Sequence, residues 1–300
     1  MPESKLSGLI AAVPTPFDAR RKIDFAAFIE HCRWCLANGC DGLNVLGTTG
    51  EANSLSPTSR KAIMTAAAEN LDRSRLMVGT GTPDLETTID LTRHAHALDY
   101  AAALLLPPYY YKPISDNGLF AWFAELIART ADAPIGIYLY NFPQLTGIEF
   151  SPALVERLAR AFPERINGAK DSSGNLDYAR RLAEIDGFDV FPSSEGTLSR
   201  AEIDNYAGCI SATVNIDPAS SADLAIHQDD AALHKQVLGL RQSISANPLI
   251  PAIKYLVSKR TGNPIWLNVA PPQLPISESA HVAALDGITK SLDERLHQPA

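Results

Sequence analysis

The chain has 300 residues, 46% of them hydrophobic, and a formal net charge of −8. Acid in excess, with no run rich in Lys and Arg, excludes a surface built for nucleic acid or another polyanion. No apolar run approaches the ~20 residues of a membrane span, so no membrane partner is expected either.

From the N-terminus onward, short apolar runs alternate with longer amphipathic stretches. Strands are expected at residues 9–13, 42–46, 76–79, 102–106, 135–140, 166–170, 189–191 and 208–212. Helices are expected between them at 24–37, 57–70, 84–98, 117–130, 151–161, 175–186 and 196–205. The strands are continuously apolar rather than alternating, which marks a parallel sheet covered on both faces. Eight such strands with intervening helices, and no linker or low-complexity segment, predict an α/β fold, one (β/α)8 TIM barrel. A doubly wound open sheet is the alternative, but no Gly-rich dinucleotide fingerprint follows the first strand. Beyond residue 219 the strand signal stops. Helices are expected at 220–246, 249–260 and 277–296, with breaks at Asn247-Pro248 and Asn263-Pro264. The expected division is a barrel over residues 1–218 and a helical extension over 219–300.

Met1-Pro2-Glu3-Ser4-Lys5 lacks the basic start and apolar core of a signal peptide, so a cytoplasmic location is expected. Cys32 and Cys35 form a C-x-x-C, a spacing that redox or metal chemistry also uses. They fall in a helical row with Phe25, Phe28, Ile29 and Leu36, however, and no second pair completes a zinc site. They read as small buried hydrophobes, and neither a metal nor a cofactor is expected.

In such a barrel the chemistry gathers where strands end. The second strand ends in Gly47-Thr48-Thr49-Gly50-Glu51, whose hydroxyls and backbone N–H groups make either a carboxylate-binding nest or a plain glycine turn. The fourth ends in Pro107-Pro108-Tyr109-Tyr110-Tyr111-Lys112-Pro113, three tyrosines that serve packing, an interface or a proton relay. The fifth ends in Tyr138-Leu139-Tyr140-Asn141-Phe142-Pro143, with Tyr138 and Tyr140 on one side of the strand and Leu139 on the other. The sixth runs through Gly168 and Ala169 to Lys170, followed by Asp171, Ser172 and Ser173, each a natural N-cap. A lysine at the mouth of an apolar strand is desolvated, which favours the neutral amine, and a neutral amine attacks a ketone to form a Schiff base. Amine, phenols, paired hydroxyls and a carboxylate nest on one rim suit condensation with a 2-oxo acid, the phenol moving protons.

These motifs, in this order, make the chain similar to the dihydrodipicolinate synthase and N-acetylneuraminate lyase family of pyruvate-dependent class I aldolases. The likeness runs from Gly8-Leu9-Ile10-Ala11-Ala12-Val13-Pro14-Thr15-Pro16-Phe17 to the C-terminal helices. The resemblance implies Lys170 as the Schiff-base lysine and Tyr140 as proton shuttle. It implies that Thr48 links Tyr140 to Tyr110 of a neighbouring subunit. Thr49, in the turn opened by Gly47, would hold the pyruvate carboxylate, and Ile210 would face bound pyruvate through its backbone. The implied partners are pyruvate and a small aldehyde or 2-oxo acid, and the implied assembly is a homotetramer built from two dimers. Synthases of the family carry an arginine where this chain has Leu145, so a contact worth roughly 1.5–3 kcal/mol is lost to a second carboxylate. Ser194 and Glu195 fall where relatives acting on sugar acids hold substrate hydroxyls, although Glu195 also reads as an acid at a helix N-terminus. The implied activity is a lyase that cleaves or forms a 2-oxo-3-deoxy sugar acid. The alternatives are 4-hydroxy-tetrahydrodipicolinate synthase, a Schiff-base dehydratase and a non-catalytic keto-acid sensor.

Overall fold

The computed structural model describes residues 6–296. Eight parallel strands run in the order β7-β6-β5-β4-β3-β2-β1-β8. They are β1 (Gly8–Ala12), β2 (Gly42–Val45), β3 (Leu76–Gly79), β4 (Ala102–Leu105), β5 (Ile137–Asn141), β6 (Ile166–Asp171), β7 (Asp189–Pro192) and β8 (Gly208–Ser211). β1 pairs in register with β8, Ile10 opposite Ile210, which curls the sheet back on itself. At the seam between β7 and β8 the Ala207 N–H donates to the Val190 carbonyl at 3.0 Å. The result is a (β/α)8 barrel.

Between the strands lie α1 (Phe25–Ala37), α2 (Pro57–Asn70), α3 (Leu85–Ala97), α4 (Asp116–Arg129), the short α5 (Pro143–Thr146), α6 (Pro152–Ala161) and α7 (Leu176–Ala183). Their starts are fixed by side-chain caps: Asp24, Ser56, Asp84, Ser115, Ser151 and Asn175 each accept a backbone N–H of the first turn. After β8 come α8 (Pro218–Ile226), α9 (Ala231–Ser245), α10 (Leu249–Thr261) and α11 (Ser279–Leu296). α8 packs on β1, so a boundary at residue 218 falls where the helix that covers the first strand begins.

Alternation along each strand divides the interior in two. Outward residues such as Val45, Val78, Leu139 and Cys209 join the helices in one large core. Inward residues fill the lumen, among them Ile10, Met77, Leu104, Tyr138, Tyr140 and Phe191. Gly168 leaves the space that Tyr138 uses, since a Cβ there would lie 2.6 Å from the Tyr138 ring. All four cysteines are buried free thiols, with Cys32 and Cys35 in the outer core.

Several expected boundaries differ, for local reasons. β2 stops before Leu46, whose φ of 57° turns the chain into the loop. β5 starts at Ile137 rather than 135 and carries a register irregularity at Ile137/Tyr138. The helix expected at 196–205 is a 3-10 segment, Glu195–Arg200, pressed so closely on α9 that a Cβ at Gly196 would meet Leu238 at 2.3 Å. The helix expected at 220–246 is two, because Asp230 caps a new start by accepting from Ala232 and Leu233. None of Asp171, Ser172 and Ser173 caps α7. Asn175 does, and Asp171 instead accepts from Ser173 and Asn141.

Candidate active site

Tyr140 and Lys170 face each other in register on β5 and β6, both inward and almost fully buried. The Lys170 ammonium nitrogen lies 4.6 Å from the centroid of the Tyr140 ring. The Tyr140 hydroxyl is 3.2 Å from Thr48 Oγ1. Three residues from three strand ends are thereby joined in one chain of contacts at the C-terminal rim. Tyr138, one layer deeper, is not available for this work. Its hydroxyl donates to Asp189 at 2.7 Å, and burial, then the Asp189 charge, push its phenol well above the ordinary range.

The Gly47–Glu51 turn has the geometry of a nest. The Ala52 N–H donates to the Gly47 carbonyl at 3.4 Å and the Glu51 N–H to the Thr48 carbonyl at 3.0 Å. A trans peptide points its N–H opposite to its carbonyl. The N–H groups of Thr48 and Thr49 are therefore turned away from the turn's own bonds, and neither has a partner among the described residues. Thr15 fixes the Gly50–Glu51 peptide, its hydroxyl donating to the Gly50 carbonyl at 2.8 Å. Thr49 is buried and Thr48 half-buried. Such paired donors suit a carboxylate.

The other expected residues are placed as follows. Ile210 is fully buried and points into the lumen from β8. Ser194 is half-buried at the start of the 3-10 segment, where its side chain makes no cap bond. Glu195 is buried, and both its carboxylate oxygens are in use. Ser211 (2.7 Å) and Arg241 (2.9 Å) donate to one, and Thr213 to the other. Leu145 is 62% exposed on α5. Tyr110 is 73% exposed and stacks edge-on with Tyr111, and makes no hydrogen bond to Thr48 among the described residues.

Three residues escaped the reading of the sequence. Arg60, on α2, is buried beside Thr48 and Tyr140 around a cavity of about 20 Å³. Its Nη2 donates to the Gly79 carbonyl at 2.8 Å, its Nε has no partner among the described residues, and burial lowers its pKa to about 10. The signal for it is its place in one inward row with Ile63, Met64 and Ala67. Asn44 is fully buried in β2 with both amide atoms unpartnered among the described residues, and its Nδ2 would lie 2.6 Å from any Cβ at Gly47. Lys254, on α10, is a second buried lysine; its ammonium lies 2.7 Å from Glu51 Oε1.

A sequence profile of the dihydrodipicolinate synthetase family matches residues 5–290. The chain belongs to that family. It is an enzyme of the pyruvate-dependent class I aldolases, a lyase. Over 293 residues it is 32% identical to the 4-hydroxy-tetrahydrodipicolinate synthase of Agrobacterium fabrum, covering 94% of this chain and 97% of the relative. Its fold matches the crystal structure of dihydrodipicolinate synthase from Agrobacterium tumefaciens with a TM-score of 0.87 at 34% identity, over 96% of this chain and 99% of the other. It also matches a prophage protein of the same family from E. coli K12 in complex with pyruvate, TM-score 0.86 at 28% identity, over 97% and 99% of the two chains. Among the described residues no helix is long and apolar enough to cross a membrane.

Proposed function

We propose that this family member is a Schiff-base lyase in which Lys170 condenses with a 2-oxo acid, cleaving or forming a 2-oxo-3-deoxy sugar acid. The observation that carries the reading is the contact chain Lys170, Tyr140 and Thr48 beside an unused N–H nest. The substrate carboxylate sits on the Thr48 and Thr49 N–H groups and the Thr49 hydroxyl. The Lys170 amine attacks C2, Tyr140 gives its proton to the departing water, and an iminium results. The Tyr140 phenolate so formed takes the proton of the C4 hydroxyl, the C3–C4 bond breaks, and its electron pair flows into the iminium to give an enamine. The aldehyde departs. The enamine is protonated at C3, and water hydrolyses the imine to release pyruvate.

Tyr110, whose exposed ring makes no hydrogen bond to its own Thr48 among the described residues, is assigned to the site of a neighbouring subunit, so the working form is a homotetramer. Ser194, with a hydroxyl left unbonded by its own helix, is the group offered to a substrate hydroxyl. Glu195 acts with it by fixing the loop, since its own oxygens are taken. Residues 1–218 supply the strands and loops of the site, and residues 219–300 brace them. Four buried free thiols accord with a reducing cytoplasm. The second reading, 4-hydroxy-tetrahydrodipicolinate synthase, is favoured by the names of the relatives. Leu145 stands against it, because it brings no charge to the second carboxylate of aspartate semialdehyde.

Borohydride reduction in the presence of pyruvate, followed by peptide mass spectrometry, tests the mechanism. The adduct is expected on Lys170 and lost in Lys170→Ala; labelling at another lysine, or none, refutes it. Side-by-side kinetics test the substrate. Polyhydroxylated 2-oxo-3-deoxy acids should exceed aspartate semialdehyde condensation in kcat/KM by about tenfold, a gap of ~1.4 kcal/mol. A faster synthase reaction installs the second reading.

A further inference from the structure

The Gly47–Glu51 turn and the 3-10 turn after it are held by α10 and by the loop that precedes α11. The Glu51 and Lys254 side chains are 1% and 0% exposed, with Oε1 and Nζ 2.7 Å apart. The other carboxylate oxygen accepts the backbone N–H of Ala270 at 2.6 Å. The Lys254 ammonium also lies 4.4 Å above the Phe17 ring, at the end of the N-terminal Thr15-Pro16-Phe17 segment that binds the turn through Thr15. Ser54 adds a bond of 3.0 Å to the Pro271 carbonyl.

Glu51 occupies the left-handed region, φ 56° and ψ 31°. Non-glycine residues rarely do so, and they persist there only where the surroundings over-determine them. The Glu51 N–H donates to the Thr48 carbonyl at 3.0 Å, and the Thr48–Thr49 peptide carries the Thr49 N–H on its opposite edge. A displacement of Glu51 therefore pulls on a donor of the nest.

We propose that Lys254 and Glu51, with the Ala270 N–H, are positioning residues that hold the nest in register for the carboxylate of a 2-oxo acid. The C-terminal helices are thus part of the binding site although none of them touches the ligand. The inference rests on the reading of the nest given above. Neither side chain contacts substrate, so the pair acts on affinity for the 2-oxo acid and not on the bond-breaking step.

The test is the pyruvate dependence of borohydride trapping at Lys170, which needs no knowledge of the second substrate. Replacing a buried ion pair by apolar residues of similar volume commonly preserves the fold. Lys254→Met/Glu51→Leu removes both charges and the Ala270 anchor. It is expected to raise the half-saturating pyruvate concentration about tenfold or more while the trapping rate at saturation stays within about threefold, the signature of lost binding. Lys254→Arg, which keeps the charge, should restore half-saturation to within about threefold of the parent. If the double variant does not fold, Lys254→Met/Glu51→Gly gives the same readout, because glycine enters the left-handed region freely yet lacks the anchor, and no buried charge is left unpaired. Half-saturation unchanged in a folded variant, or a loss confined to the saturated rate, overturns the proposal. If the parent protein traps no pyruvate, the Lys170 reading fails instead, and calorimetric titration of parent and variant with pyruvate then decides the nest by itself. Equal affinities, or no binding to either, refute it.

Discussion

Acid should loosen this fold through one residue, His31. It lies in α1, 1% exposed, edge-on to Trp266 and stacked on Trp34. Its Nδ1 is 2.8 Å from Arg260 Nη2 and its Nε2 is 2.8 Å from Asn215 Oδ1. Arginine cannot accept, so Nδ1 accepts and Nε2–H donates, which fixes a neutral imidazole. Asn215 in turn donates to the carbonyls of Ala12 and Ala212, at the rim ends of β1 and β8. Burial first, and the Arg260 charge second, lower the His31 pKa from 6.5 to about 3. The unfolded chain takes up a proton that the fold refuses, so this stability is complete above the unfolded value and is lost as pH falls toward 3. Between pH 7 and pH 5 the loss integrates to about 2 kcal/mol. Spread over the unfolding entropy of a chain this long, that is about 3 °C in Tm. Thermal melts at the two pH values, on the parent and on His31→Gln, isolate the effect because every other titration cancels in the difference. The variant should lose about 3 °C less on acidification. An identical acid sensitivity in the two proteins would refute the assignment.

The remaining expectations concern the rim. Tyr140→Phe should lower kcat by roughly two to four decades while sparing pyruvate binding, as for loss of a proton-transfer group; near-normal turnover would make Tyr140 a packing residue. Thr48→Val should cost less, about one decade, and a cross-linking or structural experiment should find Tyr110 beside the Tyr140 of another subunit. Arg241→Met leaves the buried Glu195 carboxylate without its cation and should destabilise by about 2–3 kcal/mol in a denaturant titration; an unchanged midpoint would show that Ser211 and Thr213 suffice. Leu145→Arg should raise the kcat/KM for aspartate semialdehyde by about one to two decades, and no gain would mean that another residue sets that preference.

The parts of the site carried by strand ends were legible, because a period of two decides which side chains enter the lumen and because β5 and β6 are adjacent. That much placed Tyr140 and Lys170 on one rim, whereas the choice of Tyr140 over Tyr138 and the reading of the Thr48–Thr49 turn as more than a glycine turn came from the family resemblance. Residues recruited from helices were not legible. Arg60 reads as one polar residue in an amphipathic helix, and nothing local says that its guanidinium bonds to Gly79 rather than reaching solvent. Glu195 fits a helix N-terminus equally well from sequence. Its partners Ser211, Thr213 and Arg241 are 16, 18 and 46 residues away, so only the packing of α9 on the barrel rim brings them together. The break between α8 and α9 was missed although His227-Gln228-Asp229-Asp230 carries no apolar residue and Asp230 is itself a cap signal.

Two lysines are buried in this chain, and their surroundings assign them different chemistry. Lys254, on α10, is fully buried against the Phe17 ring, and its ammonium faces a carboxylate. Burial lowers its pKa and Glu51 opposes the shift. An amine held in an ion pair, without access to the lumen, has neither the lone pair nor the space to attack a ketone. Lys170 has no ion pair among the described residues. It stands between Tyr140 and Phe191 on the neighbouring strands, facing the lumen. An aromatic face attracts a cation weakly, by about 0.5–1 kcal/mol at exposed sites and more when dry, far less than a buried carboxylate does. Of the two, only Lys170 faces the lumen, where a carbonyl can come within reach. Placing a carboxylate beside Lys170, for instance at Phe191, would remove that distinction and with it the nucleophile.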